Sequence, residues 1–315
     1  MGSPEFAVPS LAGLHMVGYR IVGVYTQTDK PSGRGRSVDM SAIKQYAVAN
    51  GLPVFQPPTL KNPQALTEMK LLEPDVMVVA AYGKILPDDF VNLAPFGCLN
   101  VHPSLLPLYR GATPIPAAIL NGDTTTGVSI MMIKSGPVDS GPVIAQTNAP
   151  IDPGDTTGTL TRKLADIGAE LLINTLHEWL QHQVDPQKIT PMEQDHTKAT
   201  IAKLIKKEDG EIDWKLPARD IWLRVRAYNP WPTAYTHWNG KLLKILEAEP
   251  IDASTFNKKP GAVVPLKQKG AACGVVTGEG VLGLKTLQLE GRIATSSANF
   301  INGARDFVGS TLSSK

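Results

Sequence analysis

The chain has 315 residues, 42% of them hydrophobic and 19% charged, with a formal net charge of +2 at neutral pH. That length is enough for two ordinary cores, and the balance is globular, which excludes a disordered or low-complexity class. The two cysteines argue against a disulfide framework or a cysteine-rich metal site. No apolar run approaches the ~20 residues a bilayer span needs, and no signal-peptide pattern is present, so a cytoplasmic protein without membrane contact is expected.

Taken in chain order, residues 20–26 and 75–80 read as buried strands, with helical segments at 41–50 and 63–72 between them. Such alternation predicts an α/β domain with a parallel, Rossmann-like sheet covered by helices. Residues 96–102 read as a turn entering a short apolar strand that Pro103 stops. Residues 127–132 and 143–146 continue the strand series, and 157–183 form an amphipathic helix in which Leu160, Leu164, Ile167, Leu171 and Leu172 recur at helical spacing.

Past Ala202 the pattern changes to short strands at 233–238, 242–248, 261–266, 273–277 and 283–287, separated by Gly, Pro and Asn, which predicts a small β-barrel. The domains are therefore expected at 1–184 and 208–315, joined by a linker at 185–207. Charge is unequally divided: residues 203–315 hold 17 Lys and Arg against 11 Asp and Glu, a net +6, while the remainder is net negative. A basic second domain suits a polyanionic partner.

The chemistry concentrates at Asn100, His102 and Asp139. Asn100 and His102, two apart on a strand, project from one face, next to the loop where α/β sheets hold ligands. An amide N–H can stabilise an oxyanion, an imidazole can move a proton near neutrality, and a carboxylate can orient the imidazole or stabilise its cation. The trio suits attack of an amine on an activated carbonyl, with no nucleophilic Cys or Ser required. Each residue alone also reads as an ordinary turn or strand-end group.

Asn100-Val-His-Pro-Ser-Leu-Leu-Pro107 with Asp139-Ser-Gly141 downstream resembles the folate-dependent formyltransferases. Residues 1–11, 26–36, 109–115 and 228–232 are similar to the branch of that family acting on methionyl-tRNA, so the resemblance covers nearly the whole chain. It implies transfer of a formyl group from 10-formyltetrahydrofolate, as cosubstrate, to the methionine amine of charged initiator tRNA. It assigns catalysis to Asn100, His102 and Asp139, the folate site to Ser104, Leu105, Leu106 and Pro107, and an oligonucleotide-binding-type fold to the barrel.

Four basic residues are candidate tRNA contacts: Arg34 and Arg36 in the Gly33-Arg-Gly-Arg36 loop, and Lys206 and Lys207. Lys203, Arg224 and Arg226, the last two near Tyr228 and Trp231, are further possibilities; solvated lysines and a packing Trp231 are the plainer reading. Three departures from the family pattern stand out. Its first hydrophobic strand is absent ahead of the Met1-Gly-Ser-Pro4 turn, the loop before Asp139 is one residue longer, with Pro137 the extra one, and Leu108 replaces a basic residue. Proline at 103 is shared with glycinamide ribonucleotide formyltransferases, and sugar-nucleotide formyltransferases share the trio; a degenerate folate- or RNA-binding protein is the non-enzymatic alternative. The histidines at 15, 177, 182, 196 and 237 lack metal-ligand spacing, and no Gly-x-Gly-x-x-Gly follows a strand, so neither a metal nor a dinucleotide is expected. The sequence leaves the oligomeric state open, with a monomer favoured.

Overall fold

The computed structural model describes residues 1–32, 37–182, 189–251, 258–268 and 270–313. The chain forms two compact units. The first comprises 1–114, 124–150 and 160–203; the second comprises 204–315 together with 115–123 and 151–159.

In the first unit, strands β1 (Val24–Tyr25) and β4 (Val54–Phe55) pair in parallel. A four-stranded sheet runs β5 (Met77–Val79), β6 (Cys98–His102), β8 (Thr125–Met132), β9 (Val143–Pro150). The β5–β6 pair is parallel, whereas β6–β8 and β8–β9 are antiparallel, so the parallel sheet expected from the alternation carries an antiparallel flank. Where the first family strand was expected to be absent, the described residues between β1 and β5 are Met1 and Gly2. The Met1 amine donates to Val78 O at 2.6 Å, Ala80 N donates to Met1 O at 2.9 Å and Gly2 N donates to Tyr25 O at 2.9 Å. The strand expected at 20–26 shrinks to Val24–Tyr25, the part buried and paired to β4.

Helix α1 (Val8–Met16) follows the N-terminal turn. Strands β2 (Lys30–Ser32) and β3 (Ser37–Asp39) form an antiparallel ribbon on either side of 33–36; Arg34 and Arg36 lie outside the described residues. Helix α2 (Ala42–Ala49) starts where the Ser41 hydroxyl accepts from Lys44 N, and α3 (Pro63–Leu71) where Asn62 accepts from Gln64 N ahead of a proline in the first turn. Tyr25, Met69, Met77, Val79, Tyr82, Phe90 and Cys98 build a core beside the short helix α4 (Asp88–Val91). Helix α5 (Pro114–Leu120) follows strand β7 (Arg110–Gly111). Helix α6 (Thr157–His182) buries Leu160, Leu164, Leu172, Leu176 and Trp179, while Ile167 and Leu171 are only half buried.

The segment expected as a linker, 185–207, is built into the first unit over 189–203. Met192 exchanges backbone hydrogen bonds with Val143, and β10 (Ile201–Ala202) pairs in parallel with β7. Its anchoring comes from backbone pairing and side-chain hydrogen bonds, with little apolar periodicity to announce it in the sequence.

The second unit is the expected barrel. Helix α7 (Ala218–Ala227) precedes the strands β11 (Ala234–Trp238), β12 (Lys241–Ile251), β13 (Val263–Gln268), β14 (Ala271–Val276), β15 (Val281–Leu289) and β16 (Thr295–Ser296), then helix α8 (Ser297–Gly303). The antiparallel order is β11-β12-β15-β14-β13, with β16 on β15. Residues 311–313 bridge the two ends, Thr311 to Ala262 and Ser313 to His237, which closes the barrel. Ile245, Leu243, Val263, Cys273, Leu284, Leu287 and Phe307 fill it.

Candidate active site

Strand β6 sets the site. It lies between β5 and β8 with Asn100 opposite Val79 and Met131, and His102 opposite Ser129. The two-residue strand period puts both side chains on one face at the C-terminal end of β6. His102 is 3% exposed, and its Nε2 stands 3.0 Å from Tyr109 O. A carbonyl can only accept, so this contact fixes the neutral ring's proton on Nε2 and leaves Nδ1 with a free lone pair.

Asp139 reaches the same point from the loop between β8 and β9, at φ 53°, a left-handed conformation that Asp tolerates better than most residues. One carboxylate oxygen, Oδ2, accepts from Gly111 N at 2.9 Å and lies 3.7 Å from His102 Nδ1; Oδ1 accepts from Asn100 Nδ2 at 3.4 Å. The trio thus converges, and the longer loop closes with Ser140 Oγ donating to Pro137 O at 2.7 Å. Gly111 makes the contact possible: at φ 102° with Ala202 O 3.0 Å from where a Cβ would stand, no larger residue fits easily. Burial pulls the His102 pKa below its ordinary value, opposed by the Asp139 charge and by the Tyr109 carbonyl. The resting imidazole is therefore neutral, as a base must be.

The trio lies on a cleft of about 750 Å³ whose walls come from residues 81–86, 131 and 133–141, with Pro103, Ala112, Pro114 and Ile201 also on the lining. Two apolar side chains of this wall are unusually exposed, Ile85 at 84% and Val138 at 57%. The Tyr82-Gly-Lys-Ile-Leu86 loop was not singled out from the sequence, although a glycine a few residues past a buried strand, here Gly83 at φ 76°, is the signal that marks it. Lys84 pins this loop by donating to the Pro57 and Pro58 carbonyls.

Ser104, Leu105, Leu106 and Pro107, expected at the folate site, do not line this cleft. Ser104 and Leu106 are buried, the Ser104 hydroxyl donates to Leu108 O at 2.6 Å, Leu106 N donates to Ser129 Oγ, and Leu106 packs on Met131 and Val143. Ser104 and Leu106 thus brace the turn that carries Tyr109 against β8, while Leu105 and Pro107 are only partly buried. Of the candidate tRNA contacts, Lys206 and Lys207 are exposed, as is Trp231. Arg226 is buried, donates to Asp152 O and Asp155 O at 2.8 Å, and stacks 4.5 Å from the Trp222 ring centroid, so it is a packing residue. No cluster of His, Cys, Asp and Glu suited to a metal occurs among the described residues.

The formyl transferase family model matches residues 2–176, and the model of its C-terminal domain matches 204–305. A methionyl-tRNA formyltransferase of Chloroflexus aggregans is 46% identical over 305 residues, 96% of each chain. One from Dehalococcoides mccartyi is 45% identical over 312 residues, 99% of this chain and 96% of that one. Among solved structures, the N-formyltransferase from Helicobacter canadensis, in complex with folinic acid and dTDP-3-aminofucose, superposes with a TM-score of 0.63 at 18% identity, over 90% of this chain and 97% of that one, a likeness of fold. With both halves matched and relatives alike from end to end, the chain belongs to the formyl transferase family, among the methionyl-tRNA formyltransferases.

Proposed function

We propose that this protein transfers the formyl group of 10-formyltetrahydrofolate to the α-amino group of methionine on charged initiator tRNA, with Asn100, His102 and Asp139 as the catalytic residues. The observation that carries this reading is the meeting of an amide, a neutral buried imidazole and a carboxylate on one cleft. The amine attacks the formyl carbon, a C–N bond forms, the bond to the folate nitrogen breaks, and one amine proton must pass to that departing nitrogen. His102 Nδ1 is the unprotonated ring nitrogen and takes that proton, with Asp139 Oδ2 facing it to stabilise the cation, then returns it to the leaving nitrogen.

Asn100 Nδ2 carries two protons, of which one is directed to Asp139, leaving the other for the developing oxyanion, a contribution of about 3 kcal/mol. The cleft has the volume of a small-molecule site, and the exposed Ile85 and Val138 offer apolar faces to a flat ring system. Arg34, Arg36, Lys206 and Lys207 are proposed to hold tRNA phosphates, the two lysines consistent with the basic balance of residues 203–315 to which they belong.

The test is formyl transfer from 10-formyltetrahydrofolate to methionine-charged initiator tRNA, read on an acid gel, for the parent and for His102→Ala and Asn100→Ala. Each variant is expected to lose about 10²–10³-fold in turnover with tRNA affinity nearly unchanged. Either variant matching the parent refutes the assignment. Activity of the parent on a sugar nucleotide or glycinamide ribonucleotide, and none on tRNA, refutes the substrate.

A further inference from the structure

We propose that Gln194 is the positioning residue of the Asp139 carboxylate, acting as a two-sided clamp between the Asp139 turn and Arg110. The inference rests on the proposed role of Asp139 and extends it to a residue that never touches substrate.

Gln194 is 7% exposed and lies in the segment that the sequence suggested was a linker. Its Nε2 donates to Asp139 O at 2.9 Å and to Gly141 O at 2.6 Å; its Oε1 accepts from Arg110 Nε at 3.0 Å and from Arg110 Nη2 at 2.7 Å. Both amide protons and both oxygen lone pairs are therefore used. The orientation is forced: turned over, the amide would face two carbonyls with an oxygen and a guanidinium with an NH2. Arg110 is itself buried and also contacts His196 Nδ1 at 2.9 Å.

The clamp grips the turn where it matters. Asp139 adopts φ 53°, and its carboxylate meets Gly111 N and Asn100 only while the turn keeps this shape. Gly141 is pressed against Met132 O, the atom a Cβ there would meet at 2.0 Å, and the two carbonyls held by Gln194 are that of Asp139 itself and that of Gly141 two residues on, so the clamp fixes both ends of the turn that aims the carboxylate. Arg110 directly precedes Gly111, whose N–H is the Asp139 partner, so one side chain ties the two halves of that hydrogen bond together. The same segment supports His102 from the other side: Thr200 Oγ1 accepts from Tyr109 N at 2.8 Å, and Tyr109 O is the partner of His102 Nε2.

The discriminating variant is Gln194→Glu. A carboxylate keeps the pairing with Arg110 but cannot donate to the Asp139 and Gly141 carbonyls. We expect a fold retained by circular dichroism and thermal melting, kcat for formyl transfer lowered about 10–100-fold, and KM for the charged tRNA within about twofold of the parent. Asp139→Asn and the double variant are measured beside it. If the clamp acts through the carboxylate, the double variant is no slower than Asp139→Asn alone; multiplied losses, or a raised KM with kcat intact, overturn the proposal. Parent-like kcat in Gln194→Glu overturns it too. Parent-like activity of Asp139→Asn instead sinks the catalytic reading of the site, a separate failure. Should Gln194→Glu not fold, Gln194→Ala takes its place in the same cycle, and misfolding of both overturns the proposal by making Gln194 a structural residue.

Discussion

His102 illustrates how burial and catalysis are tied in a single side chain. Its lowered pKa means that protonation of the folded protein occurs below the ordinary histidine value of about 6.5. The base form is the active one, so kcat/KM is expected to hold constant down through pH 6.5 and to fall only at more acidic pH, in a profile measured on methionine-charged tRNA. The linkage to stability has the same sign. Below pH 6.5 the unfolded chain takes up a proton that the folded chain refuses, so the contribution of His102 to stability is present above that pH and is lost as pH falls. Urea midpoints measured at stepwise lower pH should show that loss in the parent and a smaller one in His102→Gln. That Asn100, His102 and Asp139 meet was legible from the strand-end position and the family motif together, because two of them share one strand end and the third sits on one loop. Gln194 was not, since a glutamine among polar neighbours has no pattern until the fold brings Arg110 and two carbonyls to it.

At the scale of elements, the barrel strands were legible because period-two alternation and Gly or Asn turns bound each of them, and they lie within a few residues of their expected limits. Helix α7 was not recognised, and with it the environment of Arg226 was misjudged: four residues after Trp222 on a helix, Arg226 lies over that ring and not on an open surface. Arg226→Met is therefore expected to cost about 2–3 kcal/mol in a denaturant titration, by withdrawing charged donors from the Asp152 and Asp155 carbonyls, without changing the salt dependence of tRNA binding. The short β7–β10 pair was equally illegible, being only two residues a side. Gly111→Ala should nevertheless show its weight: the strained φ and the crowding by Ala202 O predict a loss of about 1–2 kcal/mol with a marked drop in kcat, seen by thermal melting and by formyl transfer.

For the whole molecule, the division of charge carries the proposal about tRNA. If the basic balance of residues 203–315 holds phosphates, log affinity for tRNA declines linearly with log salt, and neutralising Lys206 and Lys207 together reduces the slope by roughly two. The KM for the folate donor stays flat over the same range, which separates loss of grip on the polyanion from damage to the cleft. A slope unchanged in the Lys206→Ala/Lys207→Ala protein would remove both lysines from the interface.

The closure of the barrel by residues 311–313 has a consequence for solubility. His237 and Ser313 exchange two backbone hydrogen bonds at 3.0 and 3.2 Å, and Leu312 N donates to Gly261 O at 2.9 Å, so the last described residues occupy backbone groups that would otherwise be open along β11 and just before β13. Stripping them away would turn two satisfied strand margins into templates for a neighbouring chain, with the buried Leu312 no longer covering the seam. A protein shortened to residue 309 is expected to self-associate on a sizing column at concentrations where the parent elutes unchanged, through strand addition between molecules and not through any alteration of the cleft.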